Sequence, residues 1–284
     1  MRTKNCCLCL ILLFFALQVR AQIGVPNTSP VSESFDGMGS GLPLPTNWKV
    51  AAGASPTYSG GTTSVTQQAS TGTPVTGGTY NWGITNTSER AVGSMTSGSF
   101  SSPRSVIGYY RNTNTTNLTA LSVAYTAERY RQNSAAASIQ FFYSLNGTAW
   151  TAVAAGDIST SSFPTGMNTY YFGNPSPTIN MSGISITGLN IAPNSDFYLR
   201  WNFNTTGSNS QGIGIDDISV TATFVTPVPE INLQTPVGTN VACGTGTAAF
   251  GSINVGSSTT RTIRIQNLGT AALNLTGLPL SIIG

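Results

Sequence analysis

Histidine is absent from this 284-residue chain, lysine occurs only at positions 4 and 49, and charged residues make up 7 % of the whole. Without His there is no Ser-His-Asp or Cys-His catalytic pair and no His-ligated zinc. With Lys49 as the only lysine outside the first twenty residues, Schiff-base chemistry has little support. Ordinary soluble domains carry about 25 % charged residues, so this surface is built from Ser, Thr, Asn and Gly instead. Cysteine is scarce too: Cys6, Cys7 and Cys9 lie at the extreme start, leaving Cys243 alone. Only one long apolar run exists, and no window shows a helical period.

That run, Cys6 to Leu17, follows the basic Arg2 and Lys4 and precedes Val19-Arg20-Ala21. A basic start, a short apolar stretch and a small residue before the cut describe a secretory leader, here 1–21, with mature Gln22 next. The run is shorter than the ~20 residues a membrane span needs, so no span is expected after cleavage. Its removal takes three basic residues from the formal charge of +3, leaving nine basic against nine acidic. A neutral chain has no electrostatic affinity for nucleic acid or an anionic membrane. In an exported protein the lone Cys243 points to a partner elsewhere or a free thiol; a partner beyond Gly284 is the expectation.

From Gln22 onward, β-prone runs alternate with Gly, Asn, Ser and Pro clusters. The strongest predicted strands are 31–35, 105–110, 118–130, 137–145, 196–203 and 212–224. In the last, Ile218, Val220 and Ala222 alternate with Ser219, Thr221 and Thr223, the pattern of a half-buried antiparallel strand. Asn146-Gly147 in SLNGTAW marks a hairpin turn, with Trp150 closing over the sheet. The only helix allowed is a turn near 157–161. Many short strands between turns give an all-β, two-sheet sandwich over 22–225. A Pro-punctuated linker, 226–230, follows, and short strands resume over 231–284. A complete small sandwich needs about 100 residues, so this second unit is expected to be partial.

SESFDG, SERAVGSMTSGSF, YTAERYR with IQFFYSLNGTAW, and FYLRWNF leading to GIGIDDISV together resemble a jelly-roll (concanavalin-like) sandwich. That domain type recurs in secreted and surface proteins of bacteria, notably of the Bacteroidetes group. IDDISV by itself is similar to closing strands of many carbohydrate-binding and MAM-like jelly rolls. The tail, with Phe250, Gly251, Val255 and Gly256 followed by Asn267, Gly269 and Leu273, resembles the N-terminal half of an immunoglobulin-like domain of the choice-of-anchor or ASPM-SPD2-Hydin kind. The resemblance implies an extracellular, modular bacterial protein, often ending in a sorting signal that a secretion system reads.

Alternation turns Asp216 toward the core, where a lone carboxylate is costly unless paired, hydrogen-bonded or bound to a cation. Jelly rolls of the resembling type close by pairing first and last strands, which would bring Glu33 and Asp36 to Asp216 and Asp217. Those four carboxylates suit a structural Ca²⁺ ion; the plainer alternative pairs one Asp with an arginine such as Arg200 and caps a turn with the other. Glu128 is expected to form an ion pair with Arg129 or Arg131, in preference to a glycosidase pair with Glu89. Among the aromatics Tyr58, Tyr80, Trp82, Tyr109, Tyr110, Tyr170 and Tyr171, one of each adjacent tyrosine pair must face outward. Tyr109 or Tyr110 and Tyr170 or Tyr171 are therefore candidates for a sugar platform, although most sandwich aromatics are core.

The leading expectation is a secreted or cell-surface, non-catalytic, monomeric module for binding, adhesion or spacing within a larger protein. Two alternatives stay open: a carbohydrate-binding module that takes a glycan or another surface polymer, and an accessory part of a secreted enzyme.

Overall fold

A computed structural model describes residues 22–247, 249 and 251–275. The expected leader, Phe250 of the tail motif and the end of the chain lie outside the described residues. The described residues are all-β apart from short 3₁₀ turns. No helix among the described residues is long and apolar enough to cross a membrane. Those residues fall into two compact units, 22–114 with 118–223, and 115–117 with 224–275.

The first unit is a jelly-roll β-sandwich. Its strands are β1 (Ile23–Val25), β2 (Val31–Glu33), β3 (Trp48–Ala52), β4 (Gln67–Ala69), β5 (Gly78–Gly83), β6 (Arg90–Met95), β7 (Arg104–Asn112), β8 (Leu118–Gln132), β9 (Ala137–Ser144), β10 (Thr151–Ala152), β11 (Thr169–Tyr170), β12 (Thr178–Ile186), β13 (Asp196–Thr205) and β14 (Gly212–Phe224). One sheet runs β1-β7-β13-β9-β10, with β3 also on β7; the other runs β11-β8-β14-β6-β5-β4, with β12 on β8 and β2 on β14.

Strand β13 shows how the sequence builds this. Phe197, Leu199, Trp201 and Phe203 occupy one face and are buried; Tyr198, Arg200, Asn202 and Asn204 occupy the other, as a period of two requires. The inner residues meet β8 across the sandwich: the Tyr125 ring lies 5.7 Å from Trp201 and 6.3 Å from Phe141. Trp48 of β3 joins them, 6.0 Å from Trp201. Opposite Trp48 stands Gly108, where an added Cβ would come within 3.0 Å of the indole and 2.8 Å of Tyr110. Only glycine lets β7 pass beneath so large a ring.

A second apolar cluster is set by β5 and β6. Cross-strand pairing puts Tyr80 opposite Gly93 and Trp82 opposite Ala91, and Tyr80, Trp82 and Tyr130 stack, with centroids 3.9 and 5.6 Å apart. Phe172 and Tyr170 pack against them.

The predicted hairpin at Asn146-Gly147 joins β9 to β10, with Tyr143 opposite Thr151. The helical turn expected near 157–161 is a pair of 3₁₀ turns, Ala154–Gly156 and Thr160–Ser162. In the second unit, β15 (Ile231–Gln234) pairs antiparallel with β16 (Arg264–Asn267). Within 231–284, where short strands were expected to resume, the segment 247–256 forms none among its described residues. Ile253 and Val255 are exposed there and Gly251 and Gly256 take positive φ, a backbone that does not continue a ladder. Cys243 is exposed and has no disulfide partner among the described residues.

Candidate functional site

Two sites emerge, one on each sheet. The first is a cleft of about 400 Å³ on the outer face of the β7-β13 sheet, lined by Lys49, Tyr58, Ser59, Tyr109, Asn146, Gly147, Thr148 and Tyr198. Tyr109 of β7 and Tyr198 of β13 stand directly opposite each other, their rings parallel within 4° and 4.7 Å apart. Tyr58, from the loop after β3, leans on both at 5.0 and 5.2 Å, tilted by about 50°. Lys49 Nζ sits 4.6 Å above the Tyr58 ring.

Local chemistry holds the cleft in shape. Asn146 Oδ1 accepts the N–H groups of Thr148 and Ala149, both at 2.9 Å, the short-side-chain turn that Asn favours. Gly147 takes φ +70, and a Cβ there would meet the Tyr198 ring at 3.1 Å, so glycine is needed for both the turn and the approach. The Tyr58 N–H donates to Gly147 O at 2.9 Å, and Trp150 Nε1 donates to Pro56 O at 2.6 Å. Arg200 is sandwiched against Phe142 and Trp150, 4.0 and 4.8 Å from their ring centroids, and donates to Ala54 O at 3.0 Å. Burial pulls its guanidinium down to about 10. These contacts clamp residues 54–58 to the sheet. Tyr109 is fixed from the other side: its hydroxyl donates to Asp196 Oδ2 at 2.6 Å and accepts from Gln22 at 3.1 Å, while Asp196 pairs with Arg111 at 2.6 Å. Burial and the Asp196 hydrogen bond raise the Tyr109 phenol. The tyrosines are thus positioned rings with polar neighbours.

The second site is acidic. Glu89 from the β5–β6 turn, Glu128 near the end of β8 and Asp216 of β14 bring one carboxylate oxygen each to within 4.8 Å of the others. Strand β14 pairs with β6 through Ile215 and with β2 from Ile218. Asp216 and Asp217 fall between the two blocks, and Asp217 takes φ +46. This break leaves Asp216 2 % exposed and Asp217 exposed. Glu128 is 6 % exposed and accepts the Tyr130 hydroxyl. Burial is the main cause raising the Glu128 and Asp216 carboxyls, and neighbouring acids add to it.

The arginines beside this cluster are engaged elsewhere. Arg129 donates to Ser176 O, Pro164 O and Gln211 Oε1, and Arg131 to Asn168 Oδ1. The ion pair expected for Glu128 is therefore not formed: its neighbours in sequence point their guanidinium groups at loop carbonyls and amides that need donors. Arg200, offered as a partner for an aspartate, lies on the other sheet.

Pairing of β2 with β14 sets Glu33 opposite Ile218. Glu33 Oε1 accepts the Phe35 N–H at 2.9 Å and Asp36 Oδ1 accepts the Arg90 N–H at 3.0 Å, so both already serve the backbone. Of the four tyrosines singled out from the sequence, Tyr109 lies in the cleft. Tyr110 is 1 % exposed, stacked on Phe197, with no face for a ligand. Tyr170 and Tyr171 lie half-buried beside β8, their hydroxyls bonded to Pro74 O and Gln132 Oε1. Tyr198 escaped the sequence reading, although its alternation with Phe197 and Leu199 gave the signal.

No protein-family model matches the chain, and no curated protein matches it. Among solved structures it is similar to the K3 cleaved adhesin domain of Lys-gingipain from Porphyromonas gingivalis W83, at 11 % identity and a TM-score of 0.40, over 67 % of this chain and 97 % of that one. It is similar to TmCBM61, solved with β-1,4-galactotriose, at 12 % identity and a TM-score of 0.36, over 67 % and 94 %. The N-terminal cellulose-binding domain of Cellulomonas fimi β-1,4-glucanase C aligns at 12 % identity and a TM-score of 0.29, over 71 % and 99 %.

Proposed function

We propose that this chain is an exported, non-catalytic binding module, and that its tyrosine cleft takes a glycan. The leader at 1–21 and the low-charge surface support export. The observation that carries the ligand class is the arrangement of Tyr58, Tyr109 and Tyr198 around a cleft of about 400 Å³. Small-molecule sites are typically concave, ~300–1,000 Å³, aromatic-lined and furnished with a few fixed polar groups. A sugar ring offers an apolar C–H face to stack on tyrosine and a rim of hydroxyls for hydrogen bonds. Lys49 supplies donors, and Ser59, Asn146 and Thr148 supply amide and hydroxyl groups at the rim. The rings are held by the Asp196, Gly147 and Trp150 contacts before any ligand arrives, which lowers the ordering cost of binding.

A panel of neutral and acidic oligosaccharides titrated by calorimetry against the mature chain tests this. Binding is expected for at least one class, and Tyr198→Ala and Tyr58→Ala should abolish it while the melting temperature stays within a few degrees. Absence of binding across the panel, or binding unchanged in both variants, leaves the cleft without this role and favours the spacer reading.

A further inference from the structure

We infer that the sugar taken by the tyrosine cleft is acidic, its carboxylate or sulfate group set against the ammonium of Lys49. This rests on the reading of the cleft as a glycan site. Lys49 is the single lysine among the described residues, and it stands in the wall of that cleft. A chain only 7 % charged thus places its one ammonium beside three tyrosines, where hydroxyl and amide groups would suffice for a neutral sugar.

Strand register brings the charge there. Lys49 of β3 and Arg200 of β13 both stand opposite Ile107 of β7. The three therefore share the outer face of the sheet, one rung from the Tyr109–Tyr198 pair. Gly61 packs on the lysine stem: a Cβ there would meet Lys49 Cβ at 3.1 Å and Cδ at 3.4 Å. The stem is held along the sheet, and Nζ is delivered to the Tyr58 face, 4.6 Å from the ring centroid. Arg200 is 1 % exposed and forms no ion pair among the described residues. Burial lowers its guanidinium only to about 10, so it stays charged at neutral pH. Asp196 is already matched by Arg111 at 2.6 Å and by the Tyr109 hydroxyl, and no carboxylate lines the cleft. Two positive charges beside one neutralised pair give a positive field, which an anion complements.

A pyranose stacked on a tyrosine directs its ring substituents outward in the plane of the sugar, toward the cleft walls. A uronate carboxylate or a sulfate ester there accepts from the three ammonium donors. Such a charge-assisted bond is about twice as strong as a neutral one. Lysine is a compact point charge on a flexible stem, which suits either anion.

Calorimetry on the mature chain with matched ligands tests this. The set is galactose and glucose oligomers, the uronate oligomers of the same length, the methyl esters of those uronates, and sulfate esters of the neutral oligomers. One acidic class should bind about tenfold tighter than its neutral counterpart, and which class does so identifies the anion. Methyl esterification should erase a uronate's advantage, and added NaCl should narrow the advantage of either anion. Lys49→Met keeps the length of the stem and should bring the acidic-to-neutral affinity ratio close to unity. Lys49→Arg keeps the charge and should restore most of the ratio. Melting temperatures report that both variants are folded.

Equal affinity for acidic and neutral sugars in the parent overturns the inference and leaves the glycan reading standing. A preference for acidic sugars that survives Lys49→Met also overturns it, leaving the lysine as a prop for Tyr58. Absence of binding to every sugar, acidic or neutral, overturns both readings.

Discussion

Each sheet of the sandwich carries a row of aromatic side chains, and the two rows have opposite fates. On the β4-β5-β6 side, Tyr80, Trp82 and Tyr130 stack face to face under Phe172 and Tyr170, and all three are at most 1 % exposed. On the β7-β13 side, Tyr109 and Tyr198 stack just as closely, but the loop that leans on them carries Tyr58 in at an angle and leaves a cleft. The difference lies in what covers the rings. A segment that brings its own apolar side chains, as Tyr170 to Phe172 do, turns a sheet face into a second core. A segment held by Arg200, Trp150 and backbone hydrogen bonds at its margins covers only part of the face. Aromatic content alone therefore does not mark a binding surface.

The charged groups divide in the same way. Beside the cleft, Asp196 meets Arg111 in a partly exposed pair. Beside the closed stack, acids gather without a cation from the protein, and the arginines of β8 turn to loop carbonyls.

The largest effect that would break this comparison is expected from Trp82→Ala. Removing the middle ring of the closed stack should cost about 3–5 kcal/mol, read as a lower urea midpoint, with any glycan affinity unchanged among molecules that remain folded. A loss of affinity at preserved stability would show that the closed face also binds. Next in size is the pH dependence of stability. Folding raises the Glu128 and Asp216 carboxyls, so without a divalent cation the folded chain binds more protons than the unfolded one. This contribution is complete below the ordinary carboxylate range, about pH 4, and is lost as pH rises through the raised values. Stability should accordingly fall from about pH 4 upward, through the raised Glu128 range and on toward the Asp216 value of about 10.

A smaller change is expected from Gly147→Ala. A non-glycine residue at φ +70 costs about 1 kcal/mol, and its Cβ would press on Tyr198, so glycan affinity should fall more than stability does. The smallest is Asp196→Asn. A half-exposed ion pair contributes at most about 1 kcal/mol, so chemical denaturation should barely register the change. Loss of the Tyr109 anchor should appear instead as faster ligand dissociation.

Legibility of the fold in the sequence followed the strength of alternation. Strand β14 spans the predicted 212–224, and β8, β9 and β13 begin where expected, because apolar and polar residues alternate in each. Strands β5 and β6 were not foreseen. GTYNWG and RAVGSM are buried on both sides, and a doubly covered strand shows no alternation to read. The acidic site was half-visible. Two adjacent aspartates in a closing strand signal that one is covered, and Asp216 is buried, though beside Glu128 and not among the residues between the sheets. Its companions Glu89 and Glu128 are 127 and 88 residues away in sequence, and no spacing rule links a turn between two strands to the end of a third.

The sequence by itself determined an all-β chain, a hairpin at Asn146-Gly147 and a surface nearly free of charge. These are local matters of periodicity, turn chemistry and composition. Tertiary structure alone decided which tyrosines line a cleft, since that depends on which loop lies over which sheet. It also decided which carboxylates meet, since β14 changes partner from β6 to β2 around Asp216 and Asp217, where Asp217 takes φ +46. Both outcomes come from contacts between residues far apart in the chain, where pairing register, and not local preference, fixes the neighbours.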